Sequence, residues 1–492
     1  MPSPNPAPSA PFSAEPRQTW RIPDDRRVPA LEPLAEDVRR HPPVTIRETL
    51  WDSEDRVLQA EGVVLTRADD GQWSVDRGDG PERVAPDRDR MTADGDPAPQ
   101  SPPRDAVEVF LRGRPLRSVL VRDTTTTLVT LRGRDGRVRA EVADVRVDDG
   151  DPDAALLRSS RWWALTDDGR DGSIARAAER ALSDAATEPG DDDGVTAAVP
   201  PATPQRRAGR ARRPRVGTAA AFVLHVLDVL RADLVAVDPR VRADEHESVH
   251  DLRKVLRRLR SVLAVFRGAL DRDATEDLRA ALAETGRTAG VARDAEVLHA
   301  GLFRSAARAP EGYVDAATLD RIGDEVRGQR ERAAAGLRQA LRSDDWFRTL
   351  DALDELLRRA PTGPHAEDDA VTFTTKRIVR ERARVGRLRD GLGEDLESLH
   401  EVRKAARRLR YALLAAGDLP DIGKRRLGRL EAVQETLGDA LDAAHAAAAY
   451  RRLAEAAAGD GADTFGYGAL ATAEHAWLEH GLRRSRKVLR RL

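Results

Sequence analysis

Val249 to Arg260 reads VHDLRKVLRRLR, with five Arg or Lys residues in twelve positions directly behind a histidine. At about 100° per residue, His250, Arg253, Lys254, Arg257, Arg258 and Arg260 fall within an arc of roughly 160°. Leu252, Val255, Leu256, Leu259, Val262 and Leu263 take the opposite side. The spacing predicts an amphipathic helix with one face for a core and one for cations. Leu399 to Arg410, LHEVRKAARRLR, repeats the string H-x-x-R-K-x-x-R-R-L-R 150 residues later. His400, Arg403, Lys404, Arg407, Arg408 and Arg410 share one side there, with Tyr411 joining them, and Leu399, Val402, Ala406, Leu409 and Leu413 share the other.

A second signature accompanies the first: Gly290–Asp294, GVARD, and Gly438–Asp442, GDALD, lie 148 residues apart. Two signatures at nearly one offset predict a duplicated four-helix unit, and so two bundles related by approximate two-fold symmetry. From 216 onward apolar residues recur three and four apart to the end. The segments read as helices are 218–236, 247–270, 274–308 and 315–359, then 370–392, 397–416, 422–457 and 464–490, in repeat halves of about 216–360 and 370–492.

The preceding part of the chain has a different texture. RSVLVRD (117–123), TTLVTLRG (126–133) and VRAEVADVRVDD (138–149) alternate β-branched with polar residues, which predicts a mainly-β domain over 17–186. Residues 1–16 are Pro-rich and expected to be disordered, 94–105 form a Pro-rich surface loop, and 187–215 form a linker, acidic first and basic last. The fold class expected is therefore multi-domain, mainly β and then all α.

Among the 492 residues, 82 basic and 84 acidic side chains nearly cancel, so only local clustering can indicate a partner. The absence of cysteine excludes disulfides, thiol nucleophiles and cysteine-ligated zinc. No stretch has the composition of a membrane span or a secretory signal, so a cytoplasmic protein with no membrane partner is expected. No Walker loop, dinucleotide fingerprint, H-E-x-x-H or G-x-S-x-G occurs, and neither cofactor nor metal site is expected.

A charged helix face in water normally interleaves Glu with Lys and Arg, because like charges one turn apart cost a few tenths of a kcal/mol per pair. Asp251 and Glu401 are the only acids inside the two motifs. Such a stripe is better explained by an external polyanion, for which Arg offers planar forks and Lys a mobile point charge. His250 and His400 read equally as buried structural histidines or as phosphate contacts.

The twin motif helices, GVARDAEVL and LEAVQETLGDALDAAHA together resemble the CHAD domain over about 216–492. The resemblance implies two four-helix bundles around a basic channel and binding of inorganic polyphosphate. The implied contacts are His250, Arg253, Lys254, Arg257, Arg258, Arg260, His400, Arg403, Lys404, Arg407, Arg408 and Arg410. The second half departs from the pattern at Leu441, which stands where the first has Arg293. Polyphosphate granules are the corresponding place in the cell.

Thr49–Val75 resembles part of the CYTH fold, a β tunnel that binds triphosphate and divalent metal and in several members hydrolyses triphosphate. That chemistry needs acids for the metal and bases for the phosphate. The family's opening Glu-x-Glu-x-Lys falls on Glu15, Arg17 and Thr19, and its later acidic strand falls on Ser160, Trp162 and Ala164. The phosphate-binding Lys falls near Asp76, and only Asp52 and Arg67 remain. The expectation is a degenerate CYTH-like domain without catalysis, joined to a non-enzymatic polyphosphate binder. Two alternatives are a CYTH-type triphosphatase with a polyphosphate-binding appendage, and a nucleic-acid backbone binder. Almost no aromatics accompany the stripes for base stacking, which counts against nucleic acid. The basic stretch 205–215 reads as a flexible arm or a nucleic-acid contact, and the last cations as complements to a helix dipole.

Overall fold

A computed structural model of the chain describes residues 16–85, 102–151, 156–167, 169, 172–186, 214–393, 396–417 and 424–489. The expected disordered N-terminus, most of the loop at 94–105 and most of the linker at 187–215 lie outside the described residues. The chain divides into two units, Met1–Arg206 and Arg207–Leu492.

The first unit is one antiparallel sheet of nine strands: β1 (Gln18–Arg21), β2 (Asp37–Arg40), β3 (Val44–Asp52), β4 (Val64–Ala68), β5 (Trp73–Asp76), β6 (Pro81–Val84), β7 (Arg117–Arg132), β8 (Val138–Asp151) and β9 (Leu156–Asp167). The order is β1-β9-β8-β7-β3-β4-β5-β6, with β2 paired to β7, and no ladder joins β1 to β6 among the described residues. Among the described residues three α-helices accompany it, α1 (Val57–Ala60), α2 (Glu108–Leu111) and α3 (Gly172–Ala185), with two single 3-10 turns at Glu32–Leu34 and Arg104–Ala106. Period-two alternation separates the two faces of the sheet. Trp20, Val129, Leu131, Val142, Trp163 and Leu165 bury one face against Ala175, Ala178 and Leu182 of α3. Burial of each large apolar side chain contributes about 1.5–3 kcal/mol, which makes this contact the centre of the unit.

The second unit has nine helices among the described residues: α4 (Ala219–Arg242), α5 (Ser248–Val265), α6 (Arg272–Arg308), α7 (Ala316–Leu341), α8 (Asp344–Arg359), α9 (Ala370–Asp390), α10 (Leu396–Ala416), α11 (Lys424–Gly459) and α12 (Phe465–Leu489). Thr218, Asp271, Asp315, Ser343 and Asp369 cap α4, α6, α7, α8 and α9, each side chain accepting from a backbone N–H three residues on.

Two expectations are corrected. The segment 315–359 is broken: α7 ends at Leu341, Ser343 accepts from the N–H of Trp346 at 3.3 Å, and Asp344 and Asp345 fill the first turn of α8. The first half thus has five helices and the second four. The segment expected to end at 236 runs through Pro239 to Arg242. A fully buried pair, Arg242 with Asp238, holds that last turn, Trp346 Nε1 donating to Asp238 at 3.0 Å and Arg242 to the carbonyl of Leu341.

The two motif helices, α5 and α10, pack against each other, as do α4 and α9. The halves do not keep separate cores. Leu298 and Leu302 of α6 and Ile322 and Val326 of α7 share one core with Tyr450 and Leu453 of α11 and Tyr467 and Leu470 of α12. The duplicated units are therefore interlocked rather than placed side by side.

Candidate functional site

The twin motifs sit in matching environments. From Asp251 to Arg260 and from Glu401 to Arg410, buried, half-buried and exposed positions follow in the same order. Leu252, Val255, Leu256 and Leu259, like Val402, Ala405, Ala406 and Leu409, are buried. Tyr411 is only 6% exposed and lies near enough to the charges of Arg257, Arg403 and Arg407 to act on all three.

Neighbouring helices supply carboxylates that the motifs themselves lack. Arg258 pairs with Asp233 of α4 at 2.9 Å, and Arg408 Nε donates to Glu381 of α9 at 2.8 Å. Arg410 pairs with Glu431 of α11, whereas Lys404 pairs within its own motif, with Glu401 at 2.8 Å. Arg258, Arg408 and Arg410 thus act as braces between helices. Arg257, Arg260, Arg403 and Arg407 make no carboxylate ion pair within 4.0 Å among the described residues, and Arg253, Arg260 and Arg403 each bury an Nε–H without an acceptor.

The glycine-aspartate signature also finds its physical meaning here. A Cβ on Gly438 would come within 3.3 Å of Arg403 Nη2, and one on Gly290 within 3.9 Å of Arg253 Nη2. Each glycine lets a motif arginine lie across the adjoining helix. Asp294 then meets Arg253 at 3.3 Å, and Asp442 acts on Arg403 through its charge. Burial holds the Asp442 carboxyl above its ordinary range, against the pull of Arg403. Arg293 is occupied by Glu247 and Glu296, both at 3.1 Å, so Leu441 in the second half removes no unpaired cation.

The unpaired arginines converge across the α5–α10 interface. Burial first, and then the charges of Arg407, Arg253 and Arg403, pull Arg257 down to about 9. Burial, with Arg403, Arg253 and Arg260, pulls Arg407 down to about 10. Both remain cations at neutral pH. Arg257, Arg260 and Arg407, with Lys404, Arg279 and Arg384, line a cavity of about 280 Å³. His250 and His400 are lowered, each chiefly by burial, and nearby cations (Arg293 for His250, Lys404 for His400) add to the effect. Lys254 is exposed, without an ion pair among the described residues. A half-buried group of cations in excess of the carboxylates beside it (Asp294, Asp442 and Glu401), reached by a cavity, has the charge balance of an anion-binding arrangement.

Among the described residues the first unit offers no comparable cluster. Thr19, where the family's lysine would fall, pairs with Ala164 of the expected acidic strand across the β1–β9 ladder, and neither side chain carries a charge. Arg17 is held by Asp167 at 2.6 Å and Glu179 at 3.0 Å. Asp52 is 4% exposed and accepts from the N–H groups of Ser53, Leu58 and Gln59 at 2.6, 2.9 and 3.0 Å. Its carboxylate thus satisfies N–H groups at the start of α1. Asp76 closes a turn by accepting from the N–H of Gly78 at 2.8 Å, and Arg67 lies over Trp73 at 5.8 Å. Among the described residues, no three His, Asp or Glu side chains converge to hold a metal, and no helix is long and apolar enough to cross a membrane.

The helical unit defines a class, a duplicated α domain with arginines gathered between its twin helices. Residues 225–451 match the family described as the CHAD domain, and this stretch of the chain is a CHAD domain. Two uncharacterized proteins from two strains of Mycobacterium tuberculosis are each 29% identical over 471 residues, which is 90% of this chain and 89% of theirs. Among solved structures, PptA from Streptomyces chartreusis aligns over 55% of this chain and 98% of its own, at 20% identity and a TM-score of 0.45. The CHAD domain of the plant Ricinus communis aligns over 58% and 96%, at 23% identity and a TM-score of 0.48.

Proposed function

We propose that the helical unit binds inorganic polyphosphate without catalysis, in the passage between α5 and α10. The observation that carries this reading is the meeting of Arg257, Arg403 and Arg407 in a partly buried interface with no carboxylate ion pair. Buried charge without a partner is costly, and a polyanion entering the passage offsets that cost. Guanidinium groups grip phosphate oxygens through paired, charge-assisted hydrogen bonds. Arg253, Arg257, Arg260, Arg403 and Arg407 are the expected contacts, with Lys254 and Lys404 at the exposed edge and His250 and His400 flanking them. Arg258, Arg408 and Arg410 hold the helices in place. The CHAD resemblance supports the choice of polyphosphate, and the lack of exposed aromatics in the motifs supports it over nucleic acid.

The first unit is read as a CYTH-like domain without turnover, because Asp52 is engaged by backbone N–H groups and Ser160, Trp162 and Ala164 bring no carboxylate to the expected acidic strand. The experiment is calorimetric titration of the full chain with polyphosphate, triphosphate and single- and double-stranded DNA at matched salt, alongside a phosphate-release assay with magnesium or manganese. Preference for polyphosphate and no release above a no-protein control are expected. Equal affinity for DNA would transfer the passage to nucleic acid, and metal-dependent release would make the first unit an enzyme.

A further inference from the structure

A second cavity, of about 540 Å³, adjoins the first, and Ala264, Arg279, Arg384 and Arg408 line both. Its remaining wall is strongly basic: Arg267 after α5, Arg272 at the start of α6, and Arg377, Arg380 and Arg387 on α9. The two carboxylates that line it are already engaged, Glu276 by Arg279 and Glu381 by Arg408. Arg377 lies over Phe373 at 4.9 Å and is pulled down by burial and then by Arg380 and Arg267. The twelve positions of the sequence motifs include only Arg408 of this wall.

Among the described residues, the basic wall that α9 gives this groove has no equivalent on α4. Helix α9 carries Lys376, Arg377, Arg380, Arg382, Arg384, Arg387 and Arg389. Its counterpart α4 carries only Arg231, Arg240 and Arg242, and each is paired, with Asp354, Glu245 and Asp238. A merely solvated helix face would interleave carboxylates one turn away, whereas α9 has only Glu381 and Asp390.

We infer that this groove is a one-sided extension of the passage for a linear phosphate polymer. A chain held between α5 and α10 leaves on the α9 side and continues along Arg384, Arg380, Arg377 and Arg387. The inference rests on the polyphosphate reading above and adds two properties to it, a preference for long chains over short ones and a fixed side of exit.

The test uses the full chain and the triple variant Arg267→Ala, Arg380→Ala, Arg387→Ala. All three residues are exposed and none lines the first cavity. A second variant, Arg380→Glu with Arg387→Glu, guards against a weak effect of truncation, and circular dichroism checks the helices of both. Long-chain polyphosphate and tripolyphosphate are titrated in parallel, with Arg257→Ala plus Arg407→Ala as the comparison. Long-chain affinity is expected to fall at least tenfold in the triple variant, with a shallower dependence on salt, while tripolyphosphate affinity is unchanged. Unaltered long-chain affinity in both groove variants would overturn the inference and leave the passage standing. Loss of tripolyphosphate binding in the triple variant would also overturn it, since the groove would then not be an extension. If the unaltered chain bound neither ligand, the polyphosphate reading itself would fall, and the groove with it.

Discussion

At Arg257 the free protein carries a charge it does not stabilise, and this fixes how binding depends on pH. Burial and the neighbouring arginines pull Arg257 down to about 9 and Arg407 to about 10, well below the ordinary arginine value. Below these values both groups are charged and lower the stability of the free fold, and the loss is relieved as pH rises through them. A bound polyanion favours the charged forms, so binding takes up protons there. Affinity should therefore fall as pH is raised through about 9 to 10, which titrations in buffers of different ionisation enthalpy would detect as proton uptake. The glycine positions give a second test. Alanine favours a helix over glycine by about 1 kcal/mol, so Gly290→Ala should raise the melting temperature and leave affinity intact. Gly438→Ala should instead weaken polyphosphate binding several-fold, because its Cβ would press on Arg403 at 3.3 Å. The stripe of cations was legible at this scale, and so was the recurrence of Gly290 and Gly438. The partners of Arg258, Arg408 and Arg410 were not, because spacing along one helix says nothing of the carboxylates that Asp233, Glu381 and Glu431 bring from others.

Elements were read best where an apolar face repeats and worst where a local signal competes with it. The helices at 370–392 and 397–416 were legible to within two residues, since their apolar positions recur without interruption. The break after Leu341 was not, although Ser343 followed by Asp344 and Asp345 is a helix-start pattern, because the apolar period continues across it. Replacing Ser343 with Ala should cost about 1 kcal/mol of stability in denaturant titration, as the N–H of Trp346 loses its acceptor. The reverse error occurred at Pro239, where a residue that commonly ends helices is overruled by the buried Arg242–Asp238 pair. In the first unit, Asp52→Ala should lower the melting temperature markedly with no change in triphosphate turnover. Three backbone N–H groups lose their acceptor there, each worth about 1–3 kcal/mol when left unsatisfied.

The duplication was visible in the sequence as two signatures at one offset, but its three-dimensional use was not. One bundle per half was the natural reading, yet Tyr450 and Leu453 complete a core begun by Leu298, Leu302, Ile322 and Val326. Sequence periodicity reveals which face of a helix is apolar, not which of several equivalent faces it meets. That arrangement accompanies the contact between α5 and α10, which brings Arg257 and Arg407 into mutual reach and makes one passage from two stripes. The most direct measurement is polyphosphate affinity of the full chain against a variant with Arg257→Ala and Arg407→Ala, at several salt concentrations. Each charge-assisted contact contributes about 1.5–3 kcal/mol, and about 1.4 kcal/mol is a factor of ten. At least tenfold weaker binding is predicted, with a shallower salt dependence and a ligand-free melting temperature that holds or rises as repulsion is removed. Unchanged affinity with intact helical circular dichroism would contradict the account, leaving the twin stripes as ordinary charged faces.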